Sequence, residues 1–133
     1  SWDGYQAERT ELLNALVAND ANAVVIAGDT HNAWSGQIKT SDGTLAAVHY
    51  GTPGVTAPGL EEVFPTLSPN DVAATFVGFN DSLDYANTEN RGYTSMTLTP
   101  TAVNTEFVFV DTVDSKTYQT IVVPQSAGID LFA

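Results

Sequence analysis

The stretch at residues 23–34 reads AVVIAGDTHNAW, in which an acid, an imidazole and an indole closely follow an apolar run. The run is short, wholly apolar and closed by glycine, which predicts a buried β-strand over residues 23–28. In α/β sheets, ligands collect outside the carboxyl ends of the strands. The stretch therefore predicts a strand that places Asp29 and His31 at a functional edge of an α/β sheet.

The residues before this strand predict a helix. Asp3 and Gln6 have the spacing of a capping box, so we expect a helix from about residue 4 to residue 17. Four apolar residues fall on one face at helical spacing and form the expected buried stripe: Leu12, Leu13, Leu16 and Val17. A helix, a tight turn and a buried strand in succession indicate an α/β layer.

The residues after the strand predict a β-hairpin and then a long loop. Residues 35–40 and 45–50 flank the turn sequence SDG and form the expected hairpin. Residues 51–71 hold four prolines and three glycines, which predicts an irregular loop with one helical turn near Leu60. Loops of this length are often functional.

The C-terminal part has a different pattern. We expect a short helix over residues 71–77, capped by Ser68 or Asn70, followed by a polar connection over residues 80–90. From residue 92 onward, segments rich in β-branched and aromatic residues alternate with turn residues and predict an antiparallel meander. One of its strands alternates Phe107 and Phe109 with two valines, so we expect both of its faces to be covered.

Composition excludes several functions. The 133 residues carry 16 acids against four bases, a formal net charge of −12, so a basic face for nucleic acid is not expected. No apolar run approaches the roughly 20 residues that span a bilayer. The absence of cysteine excludes disulfides and thiolate metal sites. The acidity suits divalent cations or a saline medium, and composition does not separate the two.

Asp29 and His31 are the candidate functional residues. A carboxylate and an imidazole two residues apart can serve one metal centre or two adjacent ones. On spacing alone, a turn-capping acid and an ordinary histidine are the commoner explanation. Asn32 could hydrogen-bond a substrate or hold the turn, and Trp34 could wall the site or belong to the core.

Four blocks of the sequence carry a family resemblance. They read WDGYQAER (2–9), VVIAGDTHNAW (24–34), GTPGVTAPGL (51–60) and NRGYTSMTLTPTAVNTEFVFVDTV (90–113). In this order and spacing they resemble the C-terminal part of the PhoD-like alkaline phosphatases. The resemblance covers most of residues 2–113. It implies an α/β fold, namely the C-terminal half of a metallophosphoesterase-type two-sheet sandwich flanked by helices and ending in an antiparallel meander.

The resemblance also implies a chemistry. PhoD-like enzymes are periplasmic or extracellular metallophosphoesterases that hydrolyse phosphomonoesters and often phosphodiesters with iron and calcium. The resemblance makes Asp29 and His31 catalytic metal ligands, with His31 on iron and Asp29 on the calcium side. Asn32 and Trp34 are the candidates for substrate binding by the chemistry of their own side chains. Oxygen ligands suit calcium, and imidazole suits iron. Arg91 opens a strand in the family, which favours a surface or packing role, and His49 lies outside the motifs and is interpreted as structural.

The resemblance also implies missing parts. The family's remaining metal ligands come from an upstream half, so we expect residues 1–133 to be a single domain or a C-terminal fragment, inactive unless that half joins it as a separate chain. Ser1 directly before a predicted helix indicates a cut end. Asn80 is followed by Asp-Ser where the family commonly has Pro-His, which leaves the substrate preference open. The alternative function is a non-catalytic, acidic, β-rich module that binds calcium or a protein.

Overall fold

The computed structural model describes residues 2–99 and 102–125, apart from the side chain of Asp3. These two ranges form three α-helices, one 3-10 turn and seven strands. In chain order the elements are a 3-10 turn (Trp2–Gly4), α1 (Gln6–Ala18), β1 (Ala23–Ala27), β2 (Ala33–Lys39), β3 (Leu45–Gly51), α2 (Leu60–Val63), α3 (Pro69–Phe79), β4 (Tyr85–Asn87), β5 (Arg91–Thr99), β6 (Ala102–Val110) and β7 (Thr120–Gln125).

The strands form two sheets. The first has the order β1-β3-β2-β4, with β1 parallel to β3 and the other pairs antiparallel. The second is the antiparallel meander β5-β6-β7. The mixed α/β class and the terminal meander are therefore confirmed. None of the described helices is long and apolar enough to cross a membrane.

The core lies between the two sheets. Phe107 and Phe109 of β6 are fully buried and pack against Val48 and Tyr50 of β3. The ring of Tyr85, from β4, stacks on Phe107 at a centroid distance of 5.6 Å. The alternation seen in the sequence therefore directs both phenylalanines into the core, while the intervening valines on the opposite face of β6 are half-buried.

The expected buried stripe on the first helix is wrong. Only Leu13 is buried in α1, whereas Leu12 and Val17 are exposed. The helix packs on β3 and no further layer covers its remaining apolar residues within the described chain. The helix begins at Gln6, close to the expected start, but its N-cap is Tyr5, with no side-chain cap bond, and the proposed capping contact of Asp3 lies outside the described side chains.

The strand predicted from the apolar run before Asp29 has the predicted position but not the predicted burial. β1 spans Ala23–Ala27, yet Val25 is 40% exposed and Ile26 is 63% exposed. The reason is topological, because β1 is the edge strand of its sheet and pairs with β3 alone. A continuous apolar run is typical of a strand that is buried on both faces, and the described residues do not bury β1 in this way.

The connecting regions follow the predictions with two changes. The hairpin joins β2 to β3 through Gly43 at φ 88°, and the helical turn near Leu60 is α2. The next helix is longer than expected, since α3 runs over Pro69–Phe79 with Ser68 as its N-cap. The polar connection over residues 80–90 also contains β4, a three-residue strand that its composition did not indicate.

Candidate functional site

The candidate site is the loop of residues 28–32, which follows β1. The amide of Thr52 donates to the carbonyl of Ala27 at 2.8 Å, so the end of β1 is tied to the end of β3. Asp29 (φ 75°) and His31 (φ 60°) both adopt left-handed backbone conformations, which cost about 1–2 kcal/mol each for residues other than glycine. Such conformations persist only where the surrounding contacts hold them, and here they leave both side chains exposed.

The imidazole of His31 is held by a second loop. Its Nδ1 lies 2.7 Å from the carbonyl oxygen of Pro58. Because a carbonyl oxygen can only accept, Nδ1 carries the hydrogen, and Nε2 of the neutral ring keeps its lone pair. Histidines that bind metals usually donate their other ring N–H to a carbonyl or a carboxylate in this way. The geometry leaves Nε2 available to bind a metal ion.

Asn32 joins the same two loops. Its side chain is 1% exposed, with Nδ2 donating to the carbonyl of Thr30 and Oδ1 accepting from the amide of Leu60 at 3.2 Å. Both ends of the amide are thus engaged by the protein backbone. These two hydrogen bonds are those of a residue that holds the turn, and a substrate contact by Asn32 stays a prediction.

Trp34 braces the loop from β2. Its indole Nε1 donates to the hydroxyl of Thr30 at 2.7 Å, and its ring meets Phe76 of α3 edge-on at 5.4 Å. The ring also lies against Gly51, where a Cβ would be only 2.7 Å from the indole Cδ1. The half-buried Trp34 therefore packs between Gly51 of β3 and Phe76 of α3, and its N–H holds the side chain of Thr30 in the candidate loop.

Arg91 lies behind the loop rather than on the surface. It is 4% exposed, its Nη1 donates to the carbonyl of His31 at 2.6 Å, and its Nη2 pairs with Oε1 of Glu61. The same Glu61 oxygen accepts from the amide of Gly59 at 2.9 Å. The surface alternative for Arg91 is therefore wrong. No motif pointed to Glu61, whose only sequence signal is its position within the proline- and glycine-rich loop of residues 51–71, the Pro/Gly loop.

The electrostatics of Glu61 favour its charged form. Burial raises the pKa of Glu61, but the Gly59 amide and the Arg91 guanidinium lower it more, so the pKa lies below its ordinary value. The carboxylate is therefore ionised at neutral pH and matches the charge of Arg91. Its Oε2 is buried without a hydrogen-bond partner in the described part of the chain.

Asp29 and His31 fit part of a metal site. The Asp29 carboxylate is exposed and has no hydrogen bond or ion pair with the described residues. In residues 2–99 and 102–125, no group of three or more His, Cys, Asp and Glu side chains could hold a metal ion. The loop therefore offers one oxygen and one nitrogen donor, which is fewer than calcium or iron requires.

The second histidine takes no part in this loop. His49 is half-buried in β3, and its Nε2 lies 2.8 Å from the carbonyl oxygen of Ser82. That contact joins the sheet to the connection before β4. The structural interpretation of His49 agrees with its geometry.

Comparison with known proteins agrees with the fold and the sequence motifs. The fold is similar to that of a solved structure described as PhoD, with a TM-score of 0.72 and 17% sequence identity. The match covers 96% of this chain and 27% of the solved chain, so the chain spans about a quarter of that protein. The family model for PhoD-like phosphatases matches residues 1–107, and the chain belongs to this family. A comparison with curated proteins gave no match.

Proposed function

We propose that this chain is the C-terminal part of a metal-dependent phosphatase or phosphodiesterase that hydrolyses phosphate esters. The observation that carries the proposal is the Nδ1 contact of His31 with the Pro58 carbonyl, which leaves Nε2 free on an exposed loop. Membership of the PhoD-like phosphatase family supplies the reaction class. An imidazole oriented in this way is suited to metal binding.

The proposed ligands are those that the family resemblance implies, and the donor chemistry is consistent with them. Nε2 of His31 would bind iron, and the carboxylate of Asp29 would bind on the calcium side. Bound ions supply the positive charge that phosphoryl transfer requires. Asn32, the last residue of the loop, and Trp34, two residues after it, both hydrogen-bond to Thr30 within the loop, and a substrate contact by either residue stays a prediction.

The site requires further donors from outside this chain. Two donors on an exposed loop do not hold a multi-metal centre, because calcium alone takes six to eight oxygens. The exposed residues of β1 and the 27% coverage of the solved PhoD chain are consistent with a missing complementary part. We propose that an upstream half, present as a separate chain, completes both the metallophosphoesterase sandwich and the ligand set. The family places such enzymes in the periplasm or outside the cell.

The test is element-resolved metal analysis of the purified active protein, together with denaturing mass spectrometry and an assay on p-nitrophenyl phosphate. We expect iron, calcium and a second polypeptide alongside the 14.1 kDa chain. The variant His31→Ala is expected to lose iron and hydrolytic activity, whereas His49→Gln, a matched histidine control, is expected to retain both. Retained activity in His31→Ala would refute the assignment. Unchanged calcium binding with no activity in the unsubstituted protein would instead support a binding module.

A further inference from the structure

Arg91 is the cation closest in the fold to the candidate loop. A phosphatase whose C-terminal part has only four basic residues would be expected to use such a group to bind phosphate. The geometry of Arg91 does not suit phosphate binding, because both terminal nitrogens are engaged by the protein and the residue is 4% exposed. A guanidinium in this state has little surface left for a substrate oxygen.

The geometry points to Arg91 and Glu61 as positioning residues for His31. This inference rests on the proposed function, in which His31 binds a metal ion. The contacts form a closed circuit that begins and ends on His31, and we call it the His31 circuit. It comprises His31, Pro58, Gly59, Glu61 and Arg91.

The first half of the His31 circuit controls the backbone. Nη1 of Arg91 donates to the carbonyl of His31 at 2.6 Å, next to a φ of 60° that the residue would not adopt by preference. The other end of the guanidinium pairs with Glu61. The planar fork of arginine can hold two acceptors at once in a fixed geometry, which the single ammonium of lysine cannot do.

The second half controls the ring. Oε1 of Glu61 accepts from the amide of Gly59, and the preceding residue, Pro58, presents its carbonyl to Nδ1 of His31. The side chain of Glu61 thus helps to fix the acceptor that sets the tautomer of the imidazole. At Gly59 a Cβ would lie 2.9 Å from Oε2 of Glu61 and 3.1 Å from Nη1 of Arg91, so the circuit has no room for a larger residue.

The His31 circuit is attached to the second sheet. Arg91 is the first residue of β5 and pairs with Val110 of β6. The next residue, Gly92, donates its amide to the carbonyl of Gly54 at 3.0 Å, so the same strand also holds the Pro/Gly loop. The start of β5 therefore helps to hold both the backbone and the ring of His31 in place.

The test uses the variant Arg91→Lys, which retains the positive charge but not the planar fork of the guanidinium. The substitution is made in the intact protein, whose histidines are labelled with ¹⁵N. The tautomer of His31 is read from long-range ¹H–¹⁵N spectra of the metal-free protein, with its signals assigned by their loss in His31→Gln. We expect the unsubstituted protein to show Nδ1–H alone and Arg91→Lys to show a mixture of tautomers. We also expect the dissociation constant for iron to rise by about 10–100-fold, the usual effect of losing an outer-shell partner of a metal ligand.

A matched control separates positioning from general stability. Thr88 is 2% exposed and donates to the carbonyl of Pro69, outside the His31 circuit. The variant Thr88→Ala is expected to lower the melting temperature while leaving the tautomer and the iron affinity unchanged. The positioning role is overturned if Arg91→Lys leaves the tautomer of His31 and the iron affinity unchanged. It is also overturned if Thr88→Ala changes the tautomer and the affinity as much as Arg91→Lys does.

A second variant covers the case in which Arg91→Lys does not fold. Glu61→Gln keeps the size and an acceptor oxygen but removes the charge that pairs with Arg91. We expect mixed tautomers again, and a single unchanged Nδ1–H form would overturn the inference. The tautomer is measured without metal. If the variants shift the tautomer while the unsubstituted protein, with its second chain present, shows no phosphatase activity, the proposed function is overturned and the positioning of His31 is not.

Discussion

Nδ1 of His31 lies 2.7 Å from the carbonyl oxygen of Pro58, a residue that follows it by 27 positions. The two residues belong to different family-like sequence blocks, one after β1 and the other in the Pro/Gly loop after β3. The loop that carries the candidate ligands is therefore shaped by a second loop with no titratable ligand of its own between residues 51 and 60. Substitutions in the Pro/Gly loop should therefore change the conformation of the loop of residues 28–32.

Gly59→Ala tests the fit between the two loops. The added Cβ would lie 2.4 Å from Oδ1 of Asn32, which already accepts from the amide of Leu60. We expect a loss of about 1–3 kcal/mol in the free energy of unfolding, as for other overpacked sites. We also expect lower phosphatase activity in the completed enzyme. Denaturant unfolding and the hydrolysis of p-nitrophenyl phosphate measure the two effects.

The control for this variant is Gly78→Ala. Gly78 lies in α3, where a Cβ would meet nothing within 4 Å. We expect a stabilisation of up to about 0.5–1 kcal/mol, because alanine has the higher helix propensity, with activity unchanged. Equal losses of stability in the two variants would contradict the steric explanation for Gly59.

A double-mutant cycle tests how Trp34 braces the loop. Trp34→Phe keeps an aromatic ring against Phe76 but removes the N–H that donates to Thr30. Thr30→Val removes the acceptor. We expect each single variant to lose about 0.5–1.5 kcal/mol, and the double variant to lose less than the sum of the two, since they share one hydrogen bond. Strictly additive losses in denaturant unfolding would show that the bond contributes nothing.

The β2–β3 hairpin should respond to acid through Asp42. The Thr40 hydroxyl and the Thr44 amide donate to its carboxylate and lower the pKa of Asp42 from 3.8 to about 2. A depressed pKa in the folded state contributes stability that is present above pH 3.8 and is lost as the pH falls to about 2. An NMR titration of the Asp42 carboxyl carbon measures the shift directly.

The matching stability measurement compares the unsubstituted chain with Asp42→Asn between pH 5 and pH 2. We expect the difference in the free energy of unfolding to narrow as the pH falls, because the variant has no charge to lose. A difference that stays constant over this range would show that Asp42 titrates normally in the folded state.

The core between the sheets should depend on Phe107. This side chain is fully buried, stacks on Tyr85 and lies 5.9 Å from the ring of Phe109. We expect Phe107→Ala to cost about 3–5 kcal/mol, the usual range for a buried phenylalanine. Phe79→Ala is the control, since Phe79 is 89% exposed and its loss should change stability by less than about 0.5 kcal/mol. A large loss in Phe79→Ala would reveal that another surface covers it.

Local pattern determined most of the elements. The apolar run of β1, the SDG turn of the hairpin and the Phe107 and Phe109 alternation of β6 each encode their structure within a few residues. Turn chemistry and side-chain periodicity act over that range, which is why these elements were predictable. Burial was not predictable in the same way, because it depends on what packs against an element, as the exposed Ile26 of the edge strand β1 shows.

The identity of the candidate residues was likewise present in the sequence. Asp29 and His31 are residue types that bind metals, and they follow a strand end, so the motif indicated the candidate site. The geometry of the candidate site could not be read from the sequence. The left-handed backbone of His31 carries a carbonyl that accepts from Arg91, 60 residues later, and no local pattern encodes that contact.

Local sequence was thus sufficient for most of the strands and turns and for the types of donor at the candidate site. Only the tertiary structure decided which nitrogen of His31 is free and that Arg91 is a buried partner rather than a surface charge. The physical reason is that hydrogen bonds between distant segments set tautomers and strained backbone angles, and no local pattern encodes which segments will meet.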